Sequence, residues 1–197
     1  MKLGVLGGTF DPVHIGHLVA AVNARHTLDL DQVLLVVANV PWQKAGARVI
    51  TPAPDRLAMV RAAVDDVDGL EASDLEIARG GESYTVDTLA ELQRIHPGAE
   101  LYLIVGADLV AELDTWERSD ELRELATLAV VNRPGATVSA SDGQDRGWRT
   151  ANISIPMIDV SSTELRARVA DGRPLDFLVP AGALRLIRQR GLYAGAR

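Results

Sequence analysis

The stretch Leu3–Ala21, LGVLGGTFDPVHIGHLVAA, leaves an apolar run through two adjacent glycines and then reaches two histidines three residues apart. A simple packing unit needs neither device. Gly7 and Gly8 lack Cβ atoms, so a phosphate or a ribose can lie against their backbone. A helix starting after them would direct free N–H groups and its positive dipole end at the same place, which favours an anion. His14 and His17 would turn their rings to one side of that helix, with Gly16 keeping the backbone open between them. Imidazoles donate hydrogen bonds to phosphate oxygens. A plain turn also uses paired glycines, and two histidines can be a surface pair or a metal fragment. The chain has no cysteine and, beyond these two, only His26 and His96, so no zinc ligand set is visible.

Outward from this stretch, apolar runs alternate with helical patterns. The sequence predicts strands over 3–6, 33–38, 72–77, 101–105, 128–131 and 153–158. Helices are expected over 15–28, 55–67, 86–95, 163–169 and 181–190, with broken helical material over 107–126. Residues 39–54 and 132–152 read as loops. This alternation implies βαβ units and an α/β fold with a doubly wound, mostly parallel sheet, Rossmann-like in type. Ligands of such sheets sit beyond the carboxyl ends of the strands where strand order reverses, and the opening motif falls directly after strand one. No linker or repeat interrupts the pattern, so residues 1–197 read as one domain with C-terminal helices from about 161.

Composition narrows the partners. At 197 residues and a formal net charge of −7, the chain does not suit the phosphate backbone of a nucleic acid polymer, though a small nucleotide needs only a few local cations. No apolar run approaches the roughly 20 residues of a membrane helix. The start of the chain does not read as a signal peptide, and the absence of cysteine permits a cytoplasmic location, which is the expectation here. Self-association is left open.

Other stretches carry chemistry of the same kind. In Val160–Val169, VSSTELRARV, Ser161, Ser162 or Thr163 can cap a helix whose N–H groups and hydroxyls face an anion, and Arg166 offers a planar fork for phosphate oxygens. An ordinary capped helix with a solvated arginine reads the same way. In Gly80–Leu89, GGESYTVDTL, Ser83 or Thr85 can start a helix. In LIVGADLVAELDTWE, Gly106 lets a ribose approach, Asp108 can accept from two adjacent hydroxyls, and Trp116 offers a flat face to a ring or a filler to the core. Lys44, in NVPWQK, is a mobile-loop cation able to swing onto phosphates, and Arg133, in VVNRPG, is a phosphate-contact candidate at a strand end.

GGTFDPVHIGH resembles the nucleotidyltransferase signature in which H-x-G-H handles the triphosphate of ATP or CTP. VSSTELR is similar to the second signature of that superfamily, I-S-S-T-x-x-R, with Val160 in place of isoleucine. SYTVDTL, and G-A-D followed by a tryptophan, resemble the bacterial nicotinate mononucleotide adenylyltransferases. NVPWQK departs from the usual P-P-H-K run, with Trp42 and Gln43 replacing proline and histidine and Lys44 retained. The matched segments run from Leu3 to about Arg168.

The resemblance implies adenylyl transfer from ATP to nicotinate mononucleotide, forming deamido-NAD and pyrophosphate. It implies catalytic roles for His14, His17, Lys44 and Arg166. It places ATP against Gly7, Gly8, Thr9, Phe10, Gly106, Asp108, Ser161, Ser162 and Thr163, with the Thr9 and Phe10 backbone reaching a substrate phosphate. The pyridine nucleotide falls to Tyr84, Thr85, Trp116 and Arg133, with backbone amides at Tyr84 and Thr85 holding the nicotinate carboxylate. Mg²⁺ is expected to arrive with ATP, with no metal site of the protein's own; Asp11 is either an outer-sphere partner or a cap on its turn with Pro12. Phosphopantetheine adenylyltransferase and a non-catalytic nucleotide sensor are the alternatives.

Overall fold

Strand β1 (Lys2–Gly8) is hydrogen-bonded on both sides, to β2 (Gln32–Val37) and to β4 (Glu100–Gly106), in parallel. β3 (Leu70–Ser73) extends the sheet beyond β2, and β5 (Ala126–Asn132) and β6 (Thr150–Ser154) extend it beyond β4. The order is β3-β2-β1-β4-β5-β6, all parallel. The chain therefore runs outward on one side of β1, returns, and runs outward on the other, so the order reverses between β1 and β4. The computed structural model describes residues 1–41, 49–132, 143 and 146–194.

The strands are apolar on both faces, as a covered parallel sheet requires. Val33, Leu35 and Val37 of β2 pack with Leu6 and Ile104 on one face, under α1 (Ile15–Leu28) and α2 (Ala53–Val64). Leu3, Val5, Leu34, Val36, Leu101 and Leu103 face the opposite layer. That layer holds α4 (Thr85–Ile95), which buries Val86, Leu89 and Leu92 at helical spacing, and α5 (Ser119–Leu125). The short α3 (Leu75–Arg79) precedes α4. Leu165 of α6 (Ser162–Ala170) and Ala183, Leu184 and Ile187 of α7 (Ala181–Arg190) return to the first layer. Among the described residues no helix is long and apolar enough to cross a membrane.

Two expectations shift, while the broken helical pattern over 107–126 is met by two helical pieces, Ala107–Thr115 and Ser119–Leu125. The third strand occupies Leu70–Ser73, not 72–77, because it pairs only with the short stretch Val33–Val36 at the sheet edge. The Ser73 hydroxyl then accepts the Leu75 N–H, 3.3 Å away, where the helical turn of α3 starts. The last strand occupies Thr150–Ser154, not 153–158, since its pairing runs from Leu128 to Asn132, where β5 ends, and Pro156 has no N–H to donate. Residues Ala107–Thr115 form a 3₁₀ helix.

Candidate active site

A crevice of about 750 Å³ opens beyond the carboxyl ends of β1 and β4, at the point where strand order reverses. Its volume is in the range of small-molecule sites. Gly7, Gly8, Thr9 and Phe10 form one wall, Gly106 and Asp108 the other, and Ser161, Ser162, Thr163 and Arg166 close the phosphate-sized end. Tyr84, Thr85 and Trp116 line the far part. Every site residue expected from the sequence and lying among the described residues thus faces one space; Lys44 and Arg133 lie outside the described residues.

The two glycines differ. A Cβ at Gly7 would meet nothing within 4 Å, so the missing side chain is open crevice. A Cβ at Gly8 would fall 2.9 Å from Phe10 Cζ, so that missing side chain makes room for a buried ring of the protein itself. The Gly8 backbone nonetheless lines the crevice beside Gly7.

His14 is the N-cap residue of α1, and its backbone N–H donates to Nδ1 of His17 at 3.1 Å. That bond fixes the tautomer of a neutral His17 ring, because an accepting Nδ1 leaves Nε2 as the N–H donor. The two rings stack with centroids 3.7 Å apart and planes 26° from parallel, and Phe10 meets His17 edge-on at 4.9 Å. Gly16 admits this stack, since a Cβ there would lie 3.1 Å from His14 Nδ1.

α6 brings a second helix N-terminus to the same end. Ser161 caps it, its Oγ accepting the Glu164 N–H at 3.2 Å. Ser162 sends its hydroxyl proton to the Pro12 carbonyl at 2.8 Å, so what it turns toward a ligand is main chain rather than a hydroxyl donor. Arg166 donates from Nη1 to the Asp11 carbonyl at 2.7 Å and from Nη2 to Thr163 Oγ1 at 3.0 Å. The first turn of α1 carries no acidic residue, and the Glu164 carboxylate in the first turn of α6 is paired with Arg168 at 3.0 Å, so both helix N-termini favour an anion here. The Asp11 carboxylate is 1% exposed and accepts from Tyr193 Oη at 2.8 Å. It therefore anchors the loop. Among the described residues, no three His, Cys, Asp or Glu side chains converge as a metal-binding group.

On the far side, Tyr84 is the N-cap residue of α4 without a side-chain cap, so the first amides of that helix are available to a carboxylate. The Tyr84 hydroxyl donates to Glu82, and that bond to a carboxylate raises the phenol above its ordinary value. Trp116 ends the 3₁₀ helix with its Nε1 buried and unbonded. The Asp108 carboxylate folds back over Gly106, where a Cβ would overlap Oδ1 at 2.4 Å.

A family model described as cytidylyltransferase-like matches residues 5–168. The chain is 43% identical to a protein of Saccharopolyspora erythraea named probable nicotinate-nucleotide adenylyltransferase, over 98% of this chain and 90% of that one. It is likewise 43% identical to a protein of the same name from Streptomyces coelicolor, over 96% and 100%. The chain belongs to the nicotinate-nucleotide adenylyltransferase family. Its fold is shared with a Plasmodium falciparum nicotinic acid mononucleotide adenylyltransferase, solved in complex with NaAD, at a TM-score of 0.81 and 18% identity over 98% of this chain and 97% of that one.

For a nicotinate-nucleotide adenylyltransferase, two buried charges here escape sequence reasoning. Arg56 is 1% exposed and donates to three main-chain carbonyls: Thr9 at 2.8 Å, Thr51 at 2.8 Å and Asn39 at 3.0 Å. It clamps the end of β1 to both stems of the segment that contains Lys44. Its signal is an arginine on the apolar stripe of α2, three and four residues before the buried Met59 and Val60. Glu76 lines the crevice and accepts from the Thr88 hydroxyl at 2.6 Å, which in turn accepts from Arg79 Nη2 at 3.0 Å. This ties α3 to the helix that presents Tyr84 and Thr85. Asn39 adds a strap, donating its N–H to Ser83 Oγ at 2.8 Å and its side-chain amide to the Gly81 carbonyl at 2.9 Å.

Proposed function

We propose that the protein transfers the adenylyl group of ATP to nicotinate mononucleotide, releasing pyrophosphate and forming deamido-NAD. The observation that carries this reading is the convergence of three helix N-termini, Arg166 and the His14–His17 stack on one crevice of dinucleotide size. Two of those termini and the arginine suit a triphosphate, and the third, beside Trp116, suits an aromatic carboxylate.

An oxygen of the mononucleotide 5′-phosphate attacks the α-phosphorus, the bond from that phosphorus to the bridging oxygen of the β-phosphate breaks, and pyrophosphate leaves with the electron pair. The nucleophile is already an anion, so no strong base is needed. Catalysis is alignment plus neutralisation of charge on the non-bridging and leaving oxygens. His17 donates from Nε2 to the α-phosphate, with its orientation fixed by the His14 N–H and the His14 ring behind it. Arg166, the α6 amides at Ser162 and Thr163, and Lys44 steady the β- and γ-phosphates, and Arg133 is assigned to the mononucleotide phosphate by the family resemblance. Asp108 beside Gly106 takes the hydroxyls of the ATP ribose. Tyr84 and Thr85 main chain hold the nicotinate carboxylate, and Trp116 stacks on its ring. MgATP is the substrate form, the ion keeping water ligands and phosphate oxygens. The reaction is assigned to the cytoplasm and to a single domain spanning the chain.

The test is pyrophosphate release with ATP or CTP paired against nicotinate mononucleotide, nicotinamide mononucleotide and phosphopantetheine. Release with ATP and nicotinate mononucleotide, slower with the amide, is expected. Release with phosphopantetheine in place of the mononucleotide overturns the substrate, and ATP binding without release under any pairing makes the protein a sensor.

A further inference from the structure

We propose that Tyr193 is a positioning residue for adenylyl transfer, acting through buried Asp11 on the main-chain carbonyl that aims Arg166 into the crevice. The inference rests on the reading of the site given above.

Tyr193 is 182 residues from Asp11 in sequence, yet its hydroxyl lies 2.8 Å from Asp11 Oδ1. The chain arrives there by a defined turn. α7 ends at Gly191 in the left-handed region, at φ 60, and the Leu192 N–H reaches back to the Ile187 carbonyl at 3.0 Å. This is a helix stop in which the next apolar residue, Leu192, folds onto the core. Tyr193 itself has φ 65, and Phe10, beside Asp11, has φ 49. Residues carrying a β-carbon hold that conformation only where their surroundings impose it. Tyr193, and the residue that precedes its partner Asp11, are therefore held in backbone states that neither favours alone.

The partner is matched to a hydroxyl rather than to a ring edge. Asp11 is 1% exposed, so its carboxylate must find donors within the protein. Oδ1 takes the Tyr193 hydroxyl, and Oδ2 lies 3.5 Å from the Thr51 N–H. Burial pushes the Tyr193 phenol well above its ordinary value, so the group remains a donor throughout the working pH range. The Thr51 side chain also bonds that oxygen, and Met59 Sδ, 3.9 Å away, is a far weaker acceptor than a carboxylate.

From Asp11 the path to the substrate is short. Its carbonyl accepts Arg166 Nη1 at 2.7 Å, and the next carbonyl, Pro12, accepts the Ser162 hydroxyl at 2.8 Å. Fixing the Asp11 side chain thus fixes the two carbonyls on which the arginine and the start of α6 rest. A second tie from the same C-terminal region, the Leu178 carbonyl accepting the Ile15 N–H at 3.0 Å, steadies the first turn of α1. The end of the chain holds the phosphate-facing loop from behind, on the ATP side of the crevice only.

The experiment is a double-mutant cycle on the full chain, Tyr193→Phe with Arg166→Lys, reading kcat and KM for ATP and for nicotinate mononucleotide. Tyr193→Phe alone is expected to lower kcat/KM for ATP about tenfold, leaving KM for the mononucleotide within about twofold, and in the Arg166→Lys background to cost less than about twofold, since coupled residues are non-additive. An equal loss in both backgrounds, an equal effect on both substrates, or unchanged ATP kinetics overturns the proposal. Circular dichroism and a melting curve accompany each variant; if Tyr193→Phe does not fold, Asp11→Asn takes its place in the cycle with the same expectations. Wild-type protein that releases no pyrophosphate refutes the proposed reaction instead, and the cycle is then read in the affinity for a non-hydrolysable ATP analogue, where the same non-additivity is required.

Discussion

Gly7→Ala tests whether the room beside β1 belongs to the ligand or to the protein. Gly7 pairs with Val36 in the middle of a six-stranded sheet, where a side chain would ordinarily be packed on both faces. A Cβ built there nonetheless meets no atom within 4 Å. An alanine at Gly7 costs the folded protein no contact and removes backbone freedom from the unfolded chain. That is worth roughly 0.4–1 kcal/mol of added stability, or a melting temperature unchanged to about 4 °C higher for a chain of this size. The methyl would stand where a substrate phosphate or ribose is expected to lie. A displacement of about 1 Å costs on the order of 10²-fold in rate, equivalent to about 2.7 kcal/mol of transition-state stabilisation.

The assay is a melting curve beside steady-state pyrophosphate release. Equal or greater stability with kcat/KM reduced about a hundredfold is the expected pair. A stable Gly7→Ala protein with kcat/KM within about twofold of wild type would refute the assignment of that space to the ligand. The neighbouring glycine serves as the control. Gly8→Ala drives its methyl into the Phe10 ring at 2.9 Å. It should cost roughly 1–3 kcal/mol of stability through overpacking.

Arg56→Lys keeps the charge and one bond but loses the fork that reaches three carbonyls, so at roughly 1.5–3 kcal/mol for each of two charge-assisted bonds the loss should be about 3–6 kcal/mol. A lower urea midpoint at unchanged slope is the readout, and a loss below about 1 kcal/mol contradicts the clamp. Trp116→Ala should raise KM for the pyridine nucleotide while sparing ATP, by the roughly 1–3 kcal/mol that ring stacking supplies; matching increases for both substrates would remove Trp116 from the nicotinate end. Burial pushes the Asp114 carboxyl up, but the guanidinium groups of Arg146 and Arg123 outweigh it and hold it below its ordinary value. Its stabilisation is therefore present above about pH 4 and lost as pH falls through the depressed value. Both partners are partly exposed, so Asp114→Asn should cost less than about 1 kcal/mol at neutral pH, and the gap from wild type should close in acid. A gap that persists below about pH 3 would show the loss to be packing.

The sheet was legible wherever a strand is apolar on both faces. Val33–Val37 and Leu101–Val105 have the continuous pattern that only a doubly covered parallel strand requires. The limits of the edge strands were read two to four residues out of place, because they are set by a partner: Val33–Val36 for one, Leu128–Asn132 for the other. The crevice-lining residues were legible for a local reason. His14, Gly16, His17, Ser161 and Arg166 stand at fixed distances from a helix start, and a helix start fixes where side chains and amides point. The supporting residues were not. Arg56 reaches Thr9 across 47 residues and Tyr193 reaches Asp11 across 182, and no spacing in the chain announces either contact.

Those hidden contacts share one chemistry that explains why the visible motif works. Arg56 takes the Thr9 carbonyl, Arg166 the Asp11 carbonyl and Ser162 the Pro12 carbonyl. In a trans peptide the carbonyl and the following N–H point in opposite directions. Drawing the Thr9 oxygen toward the buried Arg56, which is not among the crevice-lining residues, turns the Phe10 N–H away from that arginine. Left to itself, an irregular loop would present oxygens and hydrogens to a ligand without preference. Here the Thr9, Asp11 and Pro12 oxygens are taken by Arg56, Arg166 and Ser162, so these carbonyls are not left to repel an incoming phosphate. Of the three donors, Arg56 is the one that acts without lining the crevice, and its removal is expected to weaken ATP binding even with both histidines in place.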